Sequence, residues 1–365
     1  MSYSLEQLVK KVMEVNATDL HIKVGSPPMI RVNTILQPAG DEILTPEAAQ
    51  ALIESAMTKK EFHTFQDKLE LDFAYKVGNV RFRTNAYFHR GTMAMAMRYN
   101  RNDILEFTKL HLPPVVQTIA ENERGLILVT GITGSGKSTT LAAMVRHIGR
   151  TRRCHIVTVE DPIEYIYEDE GNSIISQREV GHDTHSFLEA LKRALRQDPD
   201  VMLIGEMRDS ETIRAAISAA ETGHLVFSTL HTVEAQTTID RVISFFDGPE
   251  QEQVRQQLAA NIVAVISQRL LPRSDRPGII PCLEIMLGTS TVKKLILENK
   301  ISQLRQAIQN REGGMQTFNQ HLLELVNRKI ISRDTALANS DNPAALRRMM
   351  AGGVSGGDQT GLVGL

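Results

Sequence analysis

The chain has 365 residues, of which 42% are hydrophobic and 23% are charged, proportions that are typical of folded globular domains and exclude a broadly disordered chain. Its 41 Lys and Arg residues and 43 Asp and Glu residues leave a formal net charge of −2, which excludes the overall basic field of a nucleic-acid-binding protein. Two cysteines without a CxxC pair exclude a disulfide scaffold and a four-cysteine zinc site, and favour a cytoplasmic setting.

The first hundred residues predict a small α+β domain over residues 1–99. Apolar residues at helical spacing between Leu5 and Met13 predict an amphipathic helix, and this N-terminus lacks the apolar core of a signal peptide. Thr45 followed by Pro46 predicts a second helix that runs to about residue 57. Turn residues separate the remaining patterns, which are strands at 19–24, 29–35, 71–77, 80–87 and 93–99 and a helix at 60–65.

Residues 100–114 are polar and end in Leu112-Pro113-Pro114, which predicts a linker. Short apolar strands then alternate with longer helical patterns, as in a parallel sheet with helices outside it. The strands are 126–130, 156–159, 201–204 and 225–228, and the helices are 139–148, 186–196 and 211–220.

The remainder predicts a helix over 251–268, a strand near 279–285 and further helices, which complete an α/β domain over residues 115–350. The Gly-rich residues 351–365 predict a flexible tail. No run of about 18 apolar residues predicts a membrane span. Any work at a membrane would therefore be peripheral.

A phosphate-binding loop is the strongest motif in the chain. Residues 131–138, GITGSGKS, match GxxxxGK[ST] between an apolar strand and a helix. The glycines let backbone N–H groups close around phosphates, Lys137 would reach the β- and γ-phosphates, and the Ser138 hydroxyl would bind Mg²⁺. The predicted nucleotide-binding residues are Gly131, Thr133, Gly134, Ser135, Gly136, Lys137, Ser138 and Thr139.

Carboxylates follow two further strands of the predicted sheet. The strand at 156–159 delivers Glu160, Asp161 and Glu164 to the carboxyl edge of the sheet, where ligands of open parallel sheets bind. The strand at 201–204 leads to Glu206, which has the form of a Walker B carboxylate. Ser138, Glu160 and Glu206 are therefore predicted metal ligands, with solvated loop acids as the alternative for the first acidic group.

Two histidines flank the fourth strand and three arginines mark the N-terminal domain. His224 and His231 are predicted to lie beside the phosphate-binding edge but too far apart to share a metal, with ordinary polar roles as the alternative. Arg81 and Arg83 share a strand face, and Arg98 lies on a later strand. They are either surface residues or arginines that reach a nucleotide in their own or a neighbouring subunit.

Together these motifs resemble the secretion ATPase superfamily, and most closely its PilT/PilU branch of type IV pilus retraction motors. The resemblance rests on the Walker A run 131–138, the Asp box 159–164, the stretch 177–180, the Walker B segment 203–208 and the His box 221–231. It implies an N-terminal PAS-like domain and a RecA-like ATPase domain in a homohexameric ring with nucleotide at the subunit boundaries. It also implies a cytoplasmic protein, peripheral at the inner membrane, that uses ATP and Mg²⁺ and acts on the pilus platform protein.

The resemblance also suggests roles for individual residues. Glu164 matches the proposed general base and Glu206 the Walker B carboxylate. His224 and His231 match the box that couples nucleotide state to domain movement. Arginines that this superfamily directs toward phosphate are matched by Arg81, Arg83 and Arg98.

Two departures from related patterns narrow the assignment. The chain lacks the four-cysteine zinc insertion and the longer N-terminal region of assembly ATPases. Residues 291–298, TVKKLILE, lack the arginines of the AIRNLIRE signature, which leaves open an accessory, PilU-like role beside a paralogous pilus ATPase, or a nucleotide-gated interaction protein. A GTPase is disfavoured because residues 299–302, NKIS, lack the final aspartate of NKxD.

Overall fold

The structure of the chain is a computed structural model that describes residues 3–32, 35–78, 80–100, 104–169 and 171–352. It forms two compact units, Met1–Asp103 and Ile104–Leu365. Most of the predicted tail, from residue 353 onward, lies outside the described residues, as do residues 101–103 of the predicted linker. The boundaries 1–99, 100–114, 115–350 and 351–365 stay a prediction.

The first unit is a six-stranded antiparallel sheet with the strand order β3-β2-β1-β6-β5-β4. Its helices pack their apolar residues into one shared core with the sheet. Side chains at the starts of the helices accept hydrogen bonds from free backbone N–H groups, as in the capping box that Ser4 forms with Gln7. The elements are α1 Leu5–Glu14, β1 Asp19–Lys23, β2 Met29–Val32, β3 Ile35–Pro38, α2 Pro46–Ser55, α3 Lys59–Lys68, β4 Glu70–Val77, β5 Val80–His89 and β6 Thr92–Asn100.

The predicted single strand 29–35 is wrong, because the structure divides it. β2 ends at Val32, and β3 begins at Ile35 and pairs with β2 in the antiparallel direction. Apolar residues continue on both sides of the reversal, so hydrophobic alternation gave no signal for it. The consequence is an exposed edge strand, since all four residues of β3 are exposed.

The second unit is a seven-stranded sheet with the strand order β13-β12-β7-β11-β10-β8-β9. All neighbouring pairs from β12 to β9 are parallel, and β13 is antiparallel to β12. The strands are β7 Gly125–Thr130, β8 His155–Glu160, β9 Ile174–Glu179, β10 Val201–Ile204, β11 Leu225–Leu230, β12 Ile262–Pro272 and β13 Ile279–Leu287.

Helices cover both faces of this sheet, and apolar clusters lie between the layers. Among the described residues no helix is both long enough and apolar enough to cross a bilayer. The helices are α4 Pro114–Ala120, α5 Lys137–Thr151, α6 Phe187–Ala194, α7 Ser210–Glu221, α8 Ala235–Ser244, α9 Gly248–Asn261, α10 Ser290–Leu297, α11 Leu304–Gln309, α12 Phe318–Asn327, α13 Arg333–Ala338 and α14 Pro343–Met350.

The predicted helix 251–268 is wrong in its second half, where α9 gives way directly to β12 at Ile262. Residues 262–266, IVAVI, are rich in β-branched side chains, which favour strands. A strand buried on both faces is a continuous apolar run and lacks the alternation that separates strand from helix. β9 and α8 were not predicted as elements.

Burial of the His321 side chain predicts that the free energy of unfolding of the protein depends on pH. Its Nδ1 accepts the Leu283 N–H at 2.9 Å. Burial lowers the pKa of His321 to about 4, with Glu324 opposing and Arg328 and Arg311 adding to the shift. Because the unfolded chain takes up this proton near pH 6.5 and the folded chain near pH 4, stability is lost as pH falls through that window.

We expect the free energy of unfolding of His321→Asn, which keeps an acceptor for Leu283, to fall less than that of wild type between pH 7 and 4.5. The expected difference is about 2 kcal/mol, measured by urea unfolding at several pH values. His63→Asn on the exposed face of α3 serves as the control and should follow the wild-type curve. Parallel curves for wild type and His321→Asn would contradict the assignment.

Candidate nucleotide and metal site

The loop between β7 and α5 has a backbone shape that requires glycine. Gly131 and Gly136 have φ angles of +143° and +89°, in the region that other residues disfavour. A Cβ at Gly131 would lie 2.5 Å from the Gln268 carbonyl oxygen, and one at Gly136 would lie 2.6 Å from Gln268 Nε2. The Gln268 side chain also accepts a hydrogen bond from Thr140 at 2.8 Å. The loop is therefore held tightly against β12.

The polar groups of this loop are suited to an anion. Lys137 is buried, and its Nζ donates to the carbonyl oxygens of Gly131 at 2.7 Å and Ile132 at 3.1 Å. The Ser135 hydroxyl is buried and has no hydrogen-bond partner among the described residues. α5 begins at Lys137, so its free N–H groups and positive dipole end lie at the loop. A phosphate would satisfy these donors.

The remaining predicted loop residues are more open. Thr133 and Gly134 are exposed, and Ser138 and Thr139 are half-buried. The Thr139 hydroxyl lies 2.8 Å from the Tyr165 hydroxyl. Burial lowers the pKa of Lys137, and the negative charges of Glu206 and Glu164 oppose that shift.

Glu160 is the last residue of β8 and Glu164 lies four residues later, but the two side chains differ in environment. Glu160 is buried and accepts hydrogen bonds from Thr158 at 2.6 Å and from Gln177 at 3.1 Å. Burial raises the pKa of Glu160 against the effect of these two bonds. Glu164 is exposed, so solvent reaches its carboxylate. This contrast favours Glu164 as the group that meets water.

Glu206 lies at the carboxyl end of β10 between two cationic or polar partners. Its Oε2 is 2.8 Å from Arg208 Nη2, and its Oε1 is 3.2 Å from His231 Nε2. Burial acts to raise the pKa of Glu206, but Arg208 and His231 outweigh it and hold the pKa below its usual value. The carboxylate is therefore negative near neutral pH and is available to a cation.

The donor set fits Mg²⁺ bound together with phosphate. Mg²⁺ is usually held by one or two carboxylates, waters and substrate phosphates rather than by a full protein cage. The part of the chain that the structure describes contains no group of three or more His, Cys, Asp or Glu side chains suited to a metal. Ser138 is the second residue of α5, and the Glu206 carboxylate is partly exposed.

The two histidines lie at opposite ends of β11. His231 directly follows Leu230, which pairs with Thr130 at the start of the loop, whereas His224 precedes Leu225, which pairs with Gly125 at the other end of β7. The expectation that both lie beside the phosphate-binding edge is therefore wrong for His224. Its Nδ1 lies 2.9 Å from the Ala219 carbonyl oxygen, a local contact at the end of α7.

The three predicted arginines lie on one face of the sheet of the first unit. Arg83 and Arg98 are opposite each other on β5 and β6, and Arg81 is two residues before Arg83. Arg81 is buried, whereas Arg83 and Arg98 are exposed. Arg98 Nε donates to Asp19 Oδ1 at 2.9 Å. Any role in phosphate binding for these arginines stays a prediction.

The sequence did not single out Arg208 and Gln268. Arg208 lies two residues after Glu206, so its spacing could have marked it as a partner. Gln268 lies within the segment wrongly predicted as helix, where no local pattern pointed to the loop. Gln268 was missed because its contacts join separate elements.

A phosphate-binding loop on a parallel sheet with helices on both faces defines a P-loop nucleotide-binding protein with a RecA-like domain. The chain belongs to the type II/IV secretion system protein family, whose model matches residues 2–354. Within that family it belongs to the PilT/PilU group.

Individual relatives cover nearly the whole chain. It is 44% identical to the type IV pilus retraction ATPase PilT of Pseudomonas aeruginosa, over 90% of this chain and 95% of that protein. Identity to the type IV pilus ATPase PilU of the same organism is 37%, over 94% and 91% of the two chains. The crystal structure of the pilus retraction motor PilT with bound ADP superposes with a TM-score of 0.90 at 42% identity, over 95% of this chain and 100% of that chain.

Proposed function

We propose that this chain is an Mg²⁺-dependent ATPase that drives the retraction of type IV pili and thereby twitching motility. One observation carries the proposal. The carboxyl ends of β7, β10 and β11 bring Lys137, Glu206 and His231 to one edge of the sheet, and the segment after β8 supplies Glu164. Similarity to PilT indicates the process in which such an ATPase acts, which is pilus retraction.

Each residue has a chemical task in this proposal. The loop amides and Lys137 bind the β- and γ-phosphates, and Ser138 and Glu206 would hold Mg²⁺. The bound metal would neutralise the charge that develops on the phosphates. Glu164, the exposed carboxylate, orients the attacking water and accepts its proton.

Glu160 and His231 assist from the same edge. Because Glu160 is buried and accepts two hydrogen bonds, we assign it to the outer surroundings of the metal rather than to direct ligation. His231 holds Glu206 through the 3.2 Å contact and links that carboxylate to the segment after β11. A role for His224 is expected at another surface of the protein, since His224 lies at the opposite end of β11 from the site.

The family resemblance extends the proposal to assembly. We infer a homohexameric ring with nucleotide at the subunit boundaries, in which Arg81, Arg83 and Arg98 reach phosphate in their own or the neighbouring subunit. The ring acts in the cytoplasm, peripheral at the inner membrane, on the platform protein of the pilus machine. Size measured by light scattering with ATP tests the ring, and a monomer at micromolar concentration would contradict it.

A second candidate is an accessory ATPase that docks on a paralogous retraction motor. It is supported by Lys293 and Lys294 on α10 in the segment TVKKLILE, which departs from the AIRNLIRE signature, and by similarity to PilU. Purified protein would hydrolyse ATP in both cases. The two candidates differ in what the cell needs the protein for.

Deletion of the gene followed by a count of surface pili separates these proposals. We expect pili to accumulate and twitching to stop, because extension continues without retraction. Unchanged pili would favour the accessory role, and loss of pili would show an assembly motor instead. Turnover of ATP and GTP by purified protein, with and without Mg²⁺, tests the enzyme, and equal rates with both nucleotides would contradict an ATP-selective site.

A further inference from the structure

Glu284 is a buried carboxylate that the proposed nucleotide chemistry does not use. It lies on β13 with 3% of its surface exposed, and its Oε1 accepts a hydrogen bond from the Ala235 backbone N–H at 2.8 Å. Ala235 is the first residue of α8, and the preceding Glu234 makes no side-chain cap hydrogen bond. Glu284 therefore supplies, from another strand, an acceptor for one of the free backbone N–H groups at the start of α8.

Along the direction of the strands, Glu284 lies at the same height in the sheet as the candidate site. Glu284 pairs with Ser267 on β12, Ser267 with Thr130 on β7, and Thr130 with Leu230 on β11. The hydroxyl groups of Ser267 and Thr130 are 2.8 Å apart. Thr130 directly precedes the phosphate-binding loop, and Leu230 directly precedes His231. One row of paired residues thus runs from Glu284 to the site.

A short connection links the helix that Glu284 caps to the histidine of the site. Only residues 231–234 separate β11 from α8. The Thr232 hydroxyl is 2.7 Å from the Thr238 hydroxyl, which donates to the Glu234 carbonyl oxygen. The connection is therefore tied to the first turn of α8. Because His231 Nε2 is 3.2 Å from Glu206 Oε1, displacement of that turn would move His231 relative to Glu206.

We propose that Glu284 is a positioning residue for ATP hydrolysis, which caps α8 and so holds His231 against Glu206. This inference rests on the proposed function. Glu284 acts through His231 and not through the loop that binds phosphate. Its loss should therefore lower the turnover number far more than it lowers nucleotide affinity.

The surroundings of Glu284 identify a suitable conservative variant. Burial raises the pKa of Glu284 to about 7, the hydrogen bond from Ala235 and the charge of Arg305 oppose the rise, and Glu234 and Asp341 add to it. In either protonation state the carboxyl group offers an oxygen to the Ala235 N–H. A glutamine resembles the neutral form and keeps that acceptor, whereas a methionine of similar size leaves the N–H unpaired.

The test compares Glu284→Gln with Glu284→Met. We expect the glutamine variant to keep the wild-type turnover number within about threefold, and the methionine variant to lose at least about tenfold, since the Ala235 N–H is then left unpaired and the start of α8 no longer holds His231 in place. The dissociation constant for ADP, measured by calorimetry, should change less than about threefold in both variants. A methionine variant with the wild-type turnover number would overturn the inference.

A double-mutant cycle distinguishes positioning from a general loss of structure. In a His231→Ala background, Glu284→Met should lower turnover less than twofold, and a persistent tenfold loss would show that Glu284 does not act through His231. If Glu284→Met does not fold, Ala235→Pro removes the same N–H at a first helical position, after the extended backbone of Glu234, with the same expected losses. Absence of ATP turnover in wild type would instead refute the proposed function.

Discussion

Replacement of Lys137 by alanine is expected to weaken ATP binding about 10- to 100-fold and to lower turnover by roughly 1,000-fold. Lys137 is buried at the start of α5, and its ammonium group donates within the phosphate-binding loop. A charged hydrogen bond contributes about 1.5–3 kcal/mol to binding, and it contributes more where charge develops during phosphoryl transfer. Calorimetry with ATP and steady-state turnover measure the two effects.

Lys60→Ala supplies the control for this prediction, because Lys60 is exposed on α3. The control should bind and hydrolyse ATP as wild type does. Thermal unfolding without nucleotide should be similar for both variants, while added ATP should stabilise only wild type and the control. If Lys137→Ala bound ATP with the wild-type affinity, this loop would not be the phosphate-binding site.

The second large effect is expected for Glu206→Gln, which should lower ATP turnover at least about 100-fold while ATP affinity changes less than about tenfold. The glutamine keeps the shape of the side chain but removes the negative charge that Arg208 and His231 stabilise. A neutral amide binds Mg²⁺ poorly and does not align the reacting phosphate. The loss should therefore fall on the chemical step.

Glu211→Gln is the matched control for the Glu206 variant. Glu211 lies five residues further on, exposed in the first turn of α7, and its replacement changes the net charge by the same amount. We expect its turnover to remain within about twofold of wild type. If Glu206→Gln and wild type hydrolysed ATP at equal rates, Glu206 would have no role in the reaction, whatever the result for Lys137→Ala.

Local sequence pattern predicted those parts of the fold and site that depend on neighbouring residues. The loop 131–138, the strand before it and α5 follow from glycine spacing and a buried apolar run, and the structure confirms their arrangement. The fold class is confirmed as well, since the similarity to PilT spans both units of the chain. For the loop, one short segment carried the full signal, whereas the fold class followed from the order of several strands, helices and motifs.

The features that sequence missed depend on contacts between distant segments. β12 is buried and lacks the alternation that separates a strand from a helix, and its pairing with β7 is what defines it as a strand. β11 places His231 at the loop and His224 at the opposite edge, although the motif that contains both residues had suggested one location for them. The hydrogen bond from Ala235 to Glu284 spans 49 positions, so no local periodicity encodes it.

The contact of Gln268 with the phosphate-binding loop bears on how this protein can change over evolution. Its backbone oxygen limits position 131, its side-chain nitrogen limits position 136, and its side-chain oxygen accepts from Thr140. Substitutions at residues in such contact do not add independently. Part of the shape of the loop therefore resides in a strand more than a hundred residues later. A change of the Gln268 side chain would therefore alter the surroundings of position 136 and of Thr140, whereas its backbone oxygen would still exclude a side chain at position 131.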